Sequence, residues 1–443
     1  MADMDPQLLS FAERQAPRYT SYPSANHFDA SVDAGLHRRW LSALDQTTSL
    51  SIYLHVPYCR QLCWYCGCNT GRTNKAARLG SYMEALDAEI DLVGEMLGKR
   101  GRIERVAFGG GSPNAIAPEI FLKLVERLKS RLNLCNPVMS VEVDPRSFTQ
   151  GWADALAAAG VSRVSLGVQT LNEPIQRAIG RVQPVAMIET VVGQLRAAGV
   201  SSINFDLMYG LPEQGLAELE ETLSLSLAMR PERIALFGYA HVPHIIPRQK
   251  QIVATNLPDG RLRFDQAARG HELIVAAGYE AIGFDHFAVP EDAIAVAARE
   301  GRLRRNFQGF TEDQADILLG FGASSISQFP GAILQTEKNA GRYRMNVLAG
   351  RLPQAHGIIR SGADQQRARI IERLLCVGEV DFADLPDREA LAAKMEPFVS
   401  HDLAKVDGYV LRLKEAARPY SRVIAACFDA YREIAPRRFS SAI

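Results

Sequence analysis

Between Ser51 and Val242 six short runs rich in β-branched and aromatic residues recur, each closed by a turn signal and followed by a longer stretch of helical period. They are SIYLHVP from Ser51, RIERVAFGGG from Arg102, MSVEVD from Met139, SRVSLGVQ from Ser162, SINFDLMYG from Ser202 and RIALFGYAHV from Arg233. Strand-like runs separated by helices cannot pair as tight hairpins, so the pattern predicts βα units and a parallel sheet. The intervening segments, such as SYMEALDAEIDLVGEML and EIFLKLVERLKSRL, space apolar residues by three and four, as helices covering a sheet must. The expected fold is α/β, a partial (β/α)6 barrel.

Almost every predicted strand ends in something a core does not want: His55, the glycines 109 to 111, Glu142, Gln169, Asp206 and His241. One polar strand end is an ordinary cap or turn; six in succession point to a site at the C-terminal mouth of a barrel. Around residue 300 the pattern changes. The chain divides into an N-terminal segment or lid over 1–48, the barrel over 49–300, a barrel-completing extension over 301–354 and a small, mostly helical C-terminal domain over 355–443. Within that last part RARIIERLLC reads as a helix, GYVLRL as one strand and SRVIAACFDAYREI as one helix.

Composition narrows the function classes. In 443 residues Lys+Arg and Asp+Glu both number 50, so the overall field is close to neutral and nucleic acid is not an expected partner. The N-terminus has no basic region before an apolar run, and nothing approaches the roughly 20 apolar residues of a membrane span. An odd total of seven cysteines argues against a disulfide framework and for a reducing compartment. The expectation is a cytoplasmic monomer without membrane attachment.

Four of those cysteines fall within ten positions. Cys59, Cys63 and Cys66 form C-x3-C-x2-C just after the first strand, with Cys68 two residues on. Structural zinc prefers four ligands in two separated pairs, and no second Cys or His pair follows. Three thiolates suit an iron-sulfur cluster with one iron left open for a small bidentate ligand, with zinc as the alternative.

That spacing, with Tyr65 before the last cysteine and the glycine stretch GGGSP after the second strand, resembles the radical S-adenosylmethionine superfamily. Over essentially its whole length the chain is more closely similar to the oxygen-independent coproporphyrinogen III oxidase family, through PRYTSYP, CGCN, EVDPR, GVQ, DLMYGLP, YAHVP, DHFA, NFQGF and LLGFGASSIS in the family's order. The resemblance implies a 4Fe-4S cluster on Cys59, Cys63 and Cys66, and two S-adenosylmethionine molecules. The first is implied at Tyr53, Tyr65, Gly110, Glu142 and Ile326, the second at Gly111, Ser112, Gln169, Arg181, Asp206 and Ala240. Cys68 is implied as an extra, non-ligand cysteine with a catalytic part in substrate contact or electron transfer. Ser112 replaces the family's usual threonine, and Asn114 with Ala115 replaces a hydroxyl and aromatic pair. The implied substrate is coproporphyrinogen III, with an electron donor for the cluster and an unidentified final electron acceptor as further partners. Its carboxylates should meet basic groups and hydroxyls, for which Arg18, Tyr19, Tyr22, Arg304, Arg305, Phe307 and Gln308 are candidates. A haem-delivering chaperone and a radical methyltransferase or cyclopropane-forming relative are the competing readings. The chaperones typically lack the fourth cysteine and PRYTSYP, both present here.

Overall fold

The computed structural model describes residues 5–73 and 76–434; the outer ends of the segments expected over 1–48 and 355–443 lie outside them. Each of the six apolar runs forms a strand: β1 Ser49–Val56, β2 Arg102–Gly110, β3 Leu134–Val143, β4 Arg163–Gln169, β5 Ser202–Tyr209 and β6 Arg233–Gly238. They lie side by side in chain order, all parallel. The barrel is therefore partial, as expected, but it is part of a longer open sheet. β7 Glu280–Ile282 and β8 His286–Ala288 extend it antiparallel beyond β6. On the other side β9 Ile317–Phe321 pairs in parallel with β1, followed by β10 Ile326–Phe329, β11 Ala332–Thr336 and β12 Gln354–Ile359. The order is β12-β11-β10-β9-β1-β2-β3-β4-β5-β6-β8-β7, with the two ends unpaired to each other. β9 is thus a seventh parallel strand, drawn from the extension after residue 300.

Helices follow the strands on the outside: Ala76–Leu97, Pro118–Arg131, Gln150–Ala159, Val185–Ala197, Leu216–Ala228 and Gly260–Ala276. Local signals set their starts. Thr149 and Asp259 accept from the backbone N–H three residues on, at 3.4 and 2.8 Å. Leu86, Ile90, Leu124, Leu128, Leu156, Leu195 and Leu223 bury the helical stripe against the outward strand residues Ile52, Leu54, Val106, Val141, Val164 and Ile203. Because strand side chains alternate, the other face, carrying Tyr53, Glu142, Ser165, Asn204 and Asp206, is left to line the lumen.

A salt-linked floor closes the lumen at its N-terminal end. Glu312 pairs with Arg105 at 2.7 Å, with Arg233 at 3.6 Å and with Arg163, and Arg233 also meets Asp292 at 2.6 Å. Burial opposes ionisation of Glu312, but Arg233, Arg163 and Arg105 together outweigh it and hold the carboxyl at about 2.

A second core joins the two ends of the chain. Phe11, Ala12, Ala16, Tyr19 and Tyr22 pack among Ile371, Leu374, Leu391, Met395, Phe398, Tyr420, Ile424 and Phe428. RARIIERLLC lies in the helix Gly362–Val377. GYVLRL forms one strand, as expected: Val410–Leu413 is the middle of a three-stranded antiparallel sheet with Glu379–Asp381 and Ala404–Asp407. The expected single helix over 421–434 is corrected. It breaks after Phe428, where Asp429 turns extended and accepts from the Tyr19 hydroxyl at 3.0 Å, while the Ala430 N–H donates to the Tyr22 hydroxyl at 3.2 Å. A tertiary demand from the far end of the chain overrides the helical period.

Candidate functional site

The cysteine loop leaves β1 through Pro57 and is closed at its base by a short parallel pairing of Tyr58–Cys59 with Gly71–Arg72. It is held from two further directions. The Trp64 N–H donates to the Ile179 carbonyl at 3.0 Å, and Gln249 and Arg248 donate to the Tyr65 carbonyl and the Thr70 hydroxyl at 2.8 and 3.0 Å. Cys63 is buried, Cys59 and Cys66 are half-buried, Cys68 is exposed, and all seven cysteines are free thiols.

Two guanidinium groups converge on Cys63: Arg181 donates to its Sγ at 3.1 Å and Arg146 at 3.2 Å. Asp144 sits between them, 2.7 Å from Arg146 and 3.4 Å from Arg181. Burial resists ionisation of Asp144, yet Arg181 and Arg146 together keep it below the usual carboxylate range. The Cys66 thiol is shifted towards the thiolate by hydrogen bonding from Cys68, whose backbone N–H lies 3.4 Å from the Cys66 Sγ. Burial, with Cys66 and Asp144 nearby, pushes Cys59 up to about 12, a cost that a metal bound to its sulfur would remove. Among the described residues no three His, Cys, Asp or Glu side chains gather tightly enough to hold a single ion. A four-iron cube takes one thiolate at each of three corners, which three cysteines on one loop can supply. Three thiols on one clamped loop, with two guanidinium groups beside one sulfur, fit such a cluster.

The glycines after β2 leave room that any side chain would fill. A Cβ on Gly111 would lie 2.5 Å from the Tyr58 carbonyl oxygen, and one on Gly110, whose φ is +114°, 2.7 Å from the His55 ring. Ser112 donates to the Asn114 side-chain oxygen. Asn114 in turn donates to the Asp144 carbonyl at 2.9 Å and accepts from the Asp144 N–H at 3.0 Å. The amide that replaces the family's usual residue therefore ties the loop after β2 to the one after β3.

The remaining expected residues line the lumen or its mouth. Tyr53 and Glu142 project inward from β1 and β3, and the Tyr53 hydroxyl lies 3.2 Å from His55 Nδ1. Glu142 accepts from the Gly110 N–H at 3.2 Å; burial, then the nearby Asp206, push its carboxyl up to about 7. Asp206 accepts from Ser165 and Asn204, each at 2.8 Å. Gln169 is buried at the end of β4 in a left-handed conformation, φ +67°, uncommon for a residue with a side chain. Arg181 also donates to the Gly167 carbonyl and, at 3.1 Å, to Gln183. Ala240 offers its carbonyl to Gln249 at 3.0 Å beyond β6, and Ile326 opens β10. Between β strands and the 306–313 segment runs a cavity of about 350 Å³ lined by Glu142, Asp206, His286, Asn306 and Gln308.

The expected substrate grips separate into two groups. The hydroxyls of Tyr19 and Tyr22 are buried and used in the second core, as described above. Arg304 pairs with Glu372 at 3.0 Å, and buried Arg305 donates to the Arg18 carbonyl at 2.9 Å. These four make contacts within the fold and also line a cavity of about 540 Å³. Gln308 lines the lumen, Phe307 stacks edge-on against Tyr53 at 4.8 Å, and Arg18 reaches a cavity beside β6. Sequence reasoning missed Asp144 and Arg146 as neighbours of the cysteines, although the polar run EVDPR after β3 contains both. It also missed His55 as a partner of Tyr53.

Residues 53–226 match the family model of the radical SAM superfamily. The chain is 42% identical to the oxygen-independent coproporphyrinogen III oxidase of Bradyrhizobium diazoefficiens, over 98% of this chain and 99% of that one. It is 39% identical to the Paracoccus denitrificans protein of the same name, over 98% of each. Among solved structures, the coproporphyrinogen III oxidase of Escherichia coli, described as a radical SAM enzyme, superposes with a TM-score of 0.90 at 32% identity, over 97% of this chain and 99% of that one.

Proposed function

The chain belongs to the oxygen-independent coproporphyrinogen III oxidases of the radical S-adenosylmethionine superfamily, and from that membership we propose how its residues serve the reaction. It converts two propionate side chains of coproporphyrinogen III to vinyl groups by oxidative decarboxylation, giving protoporphyrinogen IX in haem biosynthesis. The observation that carries this is full-length identity to the named relatives, from the N-terminal segment to the C-terminal region. Likeness over only the cofactor half would have left the haem chaperone and the methyltransferase or cyclopropane-forming relatives open.

In this reading Cys59, Cys63 and Cys66 hold the 4Fe-4S cluster. When bound, the cluster and S-adenosylmethionine supply a carbon-centred radical able to take a hydrogen atom from the propionate β-carbon. Arg146 and Arg181 offset the thiolate charge at Cys63, and the clamps on Trp64, Tyr65 and Thr70 fix the loop. Tyr53, Tyr65, Gly110, Glu142 and Ile326 surround the first S-adenosylmethionine; the Glu142 carboxylate, at the edge of the lumen, can accept from ribose hydroxyls. Gly111, Ser112, Gln169, Arg181, Asp206 and Ala240 form the place of a second molecule. Exposed Cys68 stands at the loop rim as the candidate for substrate contact or electron transfer. The lumen walls and the salt-linked floor keep bulk water from the reacting carbon. Loss of carbon dioxide would leave one electron for an acceptor, and the cluster, once bound, would need a separate electron donor. No helix among the described residues is long and apolar enough to cross a membrane. The free thiols and this haem-biosynthetic role support an enzyme working in the cytoplasm.

The test is anaerobic turnover of reconstituted enzyme with S-adenosylmethionine, a reductant and coproporphyrinogen III, following porphyrins and 5′-deoxyadenosine by mass spectrometry. Divinyl product that disappears in Cys66→Ser is the expected result. Deoxyadenosine with intact porphyrinogen would keep the cofactor half and reject the substrate. Tight haem binding with neither product would favour the chaperone.

A further inference from the structure

The proposed chemistry needs an electron from outside the protein, and the cysteine loop has an outer face as well as one towards the lumen. From Pro57 to Met83 the sequence holds Arg60, Arg72, Lys75 and Arg78 and no aspartate or glutamate. The fold gathers the three arginines where the loop meets solvent. Arg72 is the register partner of Cys59 in the short parallel pairing at the base of the loop, and Arg60 follows Cys59 directly. The Arg78 guanidinium lies 5.9 Å from the ring centre of Tyr58, the residue before Cys59. All three arginines are exposed, and among the described residues none of them meets a carboxylate. Exposed arginines elsewhere do: Arg269 pairs with Glu220 and Arg299 with Glu280, both at 2.6 Å, and Arg412 with Glu379 at 2.8 Å.

The surroundings of the three expected ligands decide where an electron can enter. Cys63 is buried beside Arg146 and Arg181. Beyond Cys66 and Cys68 the loop turns to the lumen, where the Asn69 carbonyl lies 3.4 Å from His55 Nε2. That side belongs to S-adenosylmethionine and the porphyrinogen during turnover. Cys59 is half-buried, with exposed Arg60 and Arg72 on either side of it. An electron can therefore arrive past Cys59 while the lumen is occupied. Electron tunnelling falls steeply with distance, so a donor must seat itself against this loop rather than elsewhere on the surface.

We propose that Arg60, Arg72 and Arg78 form the docking surface for a small acidic one-electron carrier protein that reduces the cluster. The inference rests on the function proposed above. Redox encounters use small, weak interfaces, in which complementary charge sets the rate and the orientation of approach. Arginines already neutralised by their own carboxylates would offer little field to a partner; these three, on a chain whose overall charge is zero, concentrate positive charge at one place. A carrier with a carboxylate-rimmed redox centre is drawn to that place from a distance and, held mainly by screened surface charges, leaves again once spent. In each encounter the carrier is oxidised by one electron and the cluster is reduced by one, with no covalent bond formed or broken.

The experiment uses reconstituted holoenzyme and, as the carrier, an acidic plant-type 2Fe-2S ferredoxin, a donor of low potential. Calorimetry with both proteins oxidised reads binding without electron transfer. Rapid freeze-quench electron paramagnetic resonance reads how fast reduced ferredoxin brings up the signal of the reduced cluster. In Arg60→Glu with Arg72→Glu, affinity at low salt and the second-order rate should each fall roughly tenfold or more, and the rate should lose its steep dependence on added salt. Arg78→Glu alone should shift both in the same direction by less. Iron content, and reduction by photoreduced 5-deazariboflavin, which is uncharged, should stay at the wild-type values. Arg369 and Arg373, exposed on the helix Gly362–Val377, provide the control: reversing both changes the net charge equally and should leave the ferredoxin values unchanged. Variants that match wild type, or a wild-type enzyme that ferredoxin neither binds nor reduces, would overturn the docking surface. An equal loss in the control pair would reduce the effect to net charge, and an equal loss with deazariboflavin would place the arginines in the environment of the cluster; either result overturns the proposal. Should the double variant fail to hold iron, Arg78→Glu, on the helix Ala76–Leu97, carries the comparison. Wild-type protein that takes up no cluster iron would instead remove the functional reading, and this inference with it.

Discussion

At the scale of single residues, the cysteine spacing is local chemistry and therefore readable in a string, whereas the groups that tune it are not. Arg146 and Cys63 are 83 positions apart, yet their contact at 3.2 Å makes the arginine a direct influence on the proposed cluster. Hydrogen bonds and positive charge at a cluster sulfur favour the reduced, more negative state. In Arg146→Met the cluster should assemble with normal iron content but show a more negative midpoint potential in a redox titration followed by electron paramagnetic resonance. An unchanged potential would mean that Arg181 alone sets the field at Cys63. The motif EVDPR displayed Asp144 and Arg146 openly, but only the fold reveals that β3 ends beside the cysteine loop. Arg263, Arg418 and Arg422 are harder still: each looks like a solvated surface charge in the string, and their meeting at the cavity beside β6 is a property of two distant segments.

Two loops show how elements rather than residues carry the site. The glycine turn after β2 passes so close to the cysteine loop that only a missing side chain allows it. Gly111→Ala should push Tyr58 and the loop apart, since its Cβ would sit 2.5 Å from the Tyr58 carbonyl oxygen. The expected outcome is loss of cluster iron in a protein that still shows the wild-type far-ultraviolet circular dichroism; full iron occupancy would show that the loop can yield. At the other end of the lumen, the turn after residue 311 carries Glu312 into three arginines. A carboxyl held at about 2 in the folded protein against an ordinary 4.5 contributes stability that is fully present above about 4.5 and disappears as pH falls through about 2. Glu312→Gln removes one partner of a buried charge cluster and should cost on the order of 3 kcal/mol near neutral pH. The difference from wild type should shrink as denaturant melts are repeated from pH 4.5 downwards, and a pH-independent difference would exclude the ion pairs as its cause.

Over the whole molecule, six of the seven parallel strands were legible because apolar runs alternating with helical stripes admit few other folds. β9 was not, because its run LLGF sits among antiparallel neighbours and only its pairing with β1 shows its orientation. The break after Phe428 was hidden for a related reason: it is imposed by Tyr19, 410 positions away. That contact belongs to the second core, in which the N-terminal segment supplies Phe11, Ala12, Ala16, Tyr19 and Tyr22 to a cluster otherwise built mainly from the C-terminal region. Phe11 is fully buried against Phe398, His401 and Tyr420, at ring-centroid distances of 5.1 to 6.5 Å. Truncating one such phenylalanine typically costs about 3–5 kcal/mol, so removing the whole segment exceeds what a small domain can spare. The barrel core, by contrast, draws nothing from residues 5 to 31. Deleting the first 24 residues should therefore uncouple the two: limited proteolysis should cut between 361 and 428 while the barrel stays protected and keeps its iron. Calorimetry should resolve a low-temperature transition that wild type lacks. If the truncated protein melts in one transition at the wild-type temperature, the C-terminal core does not depend on the strap, and the cavity walled by Arg418 and Arg422 would keep its shape without Arg18.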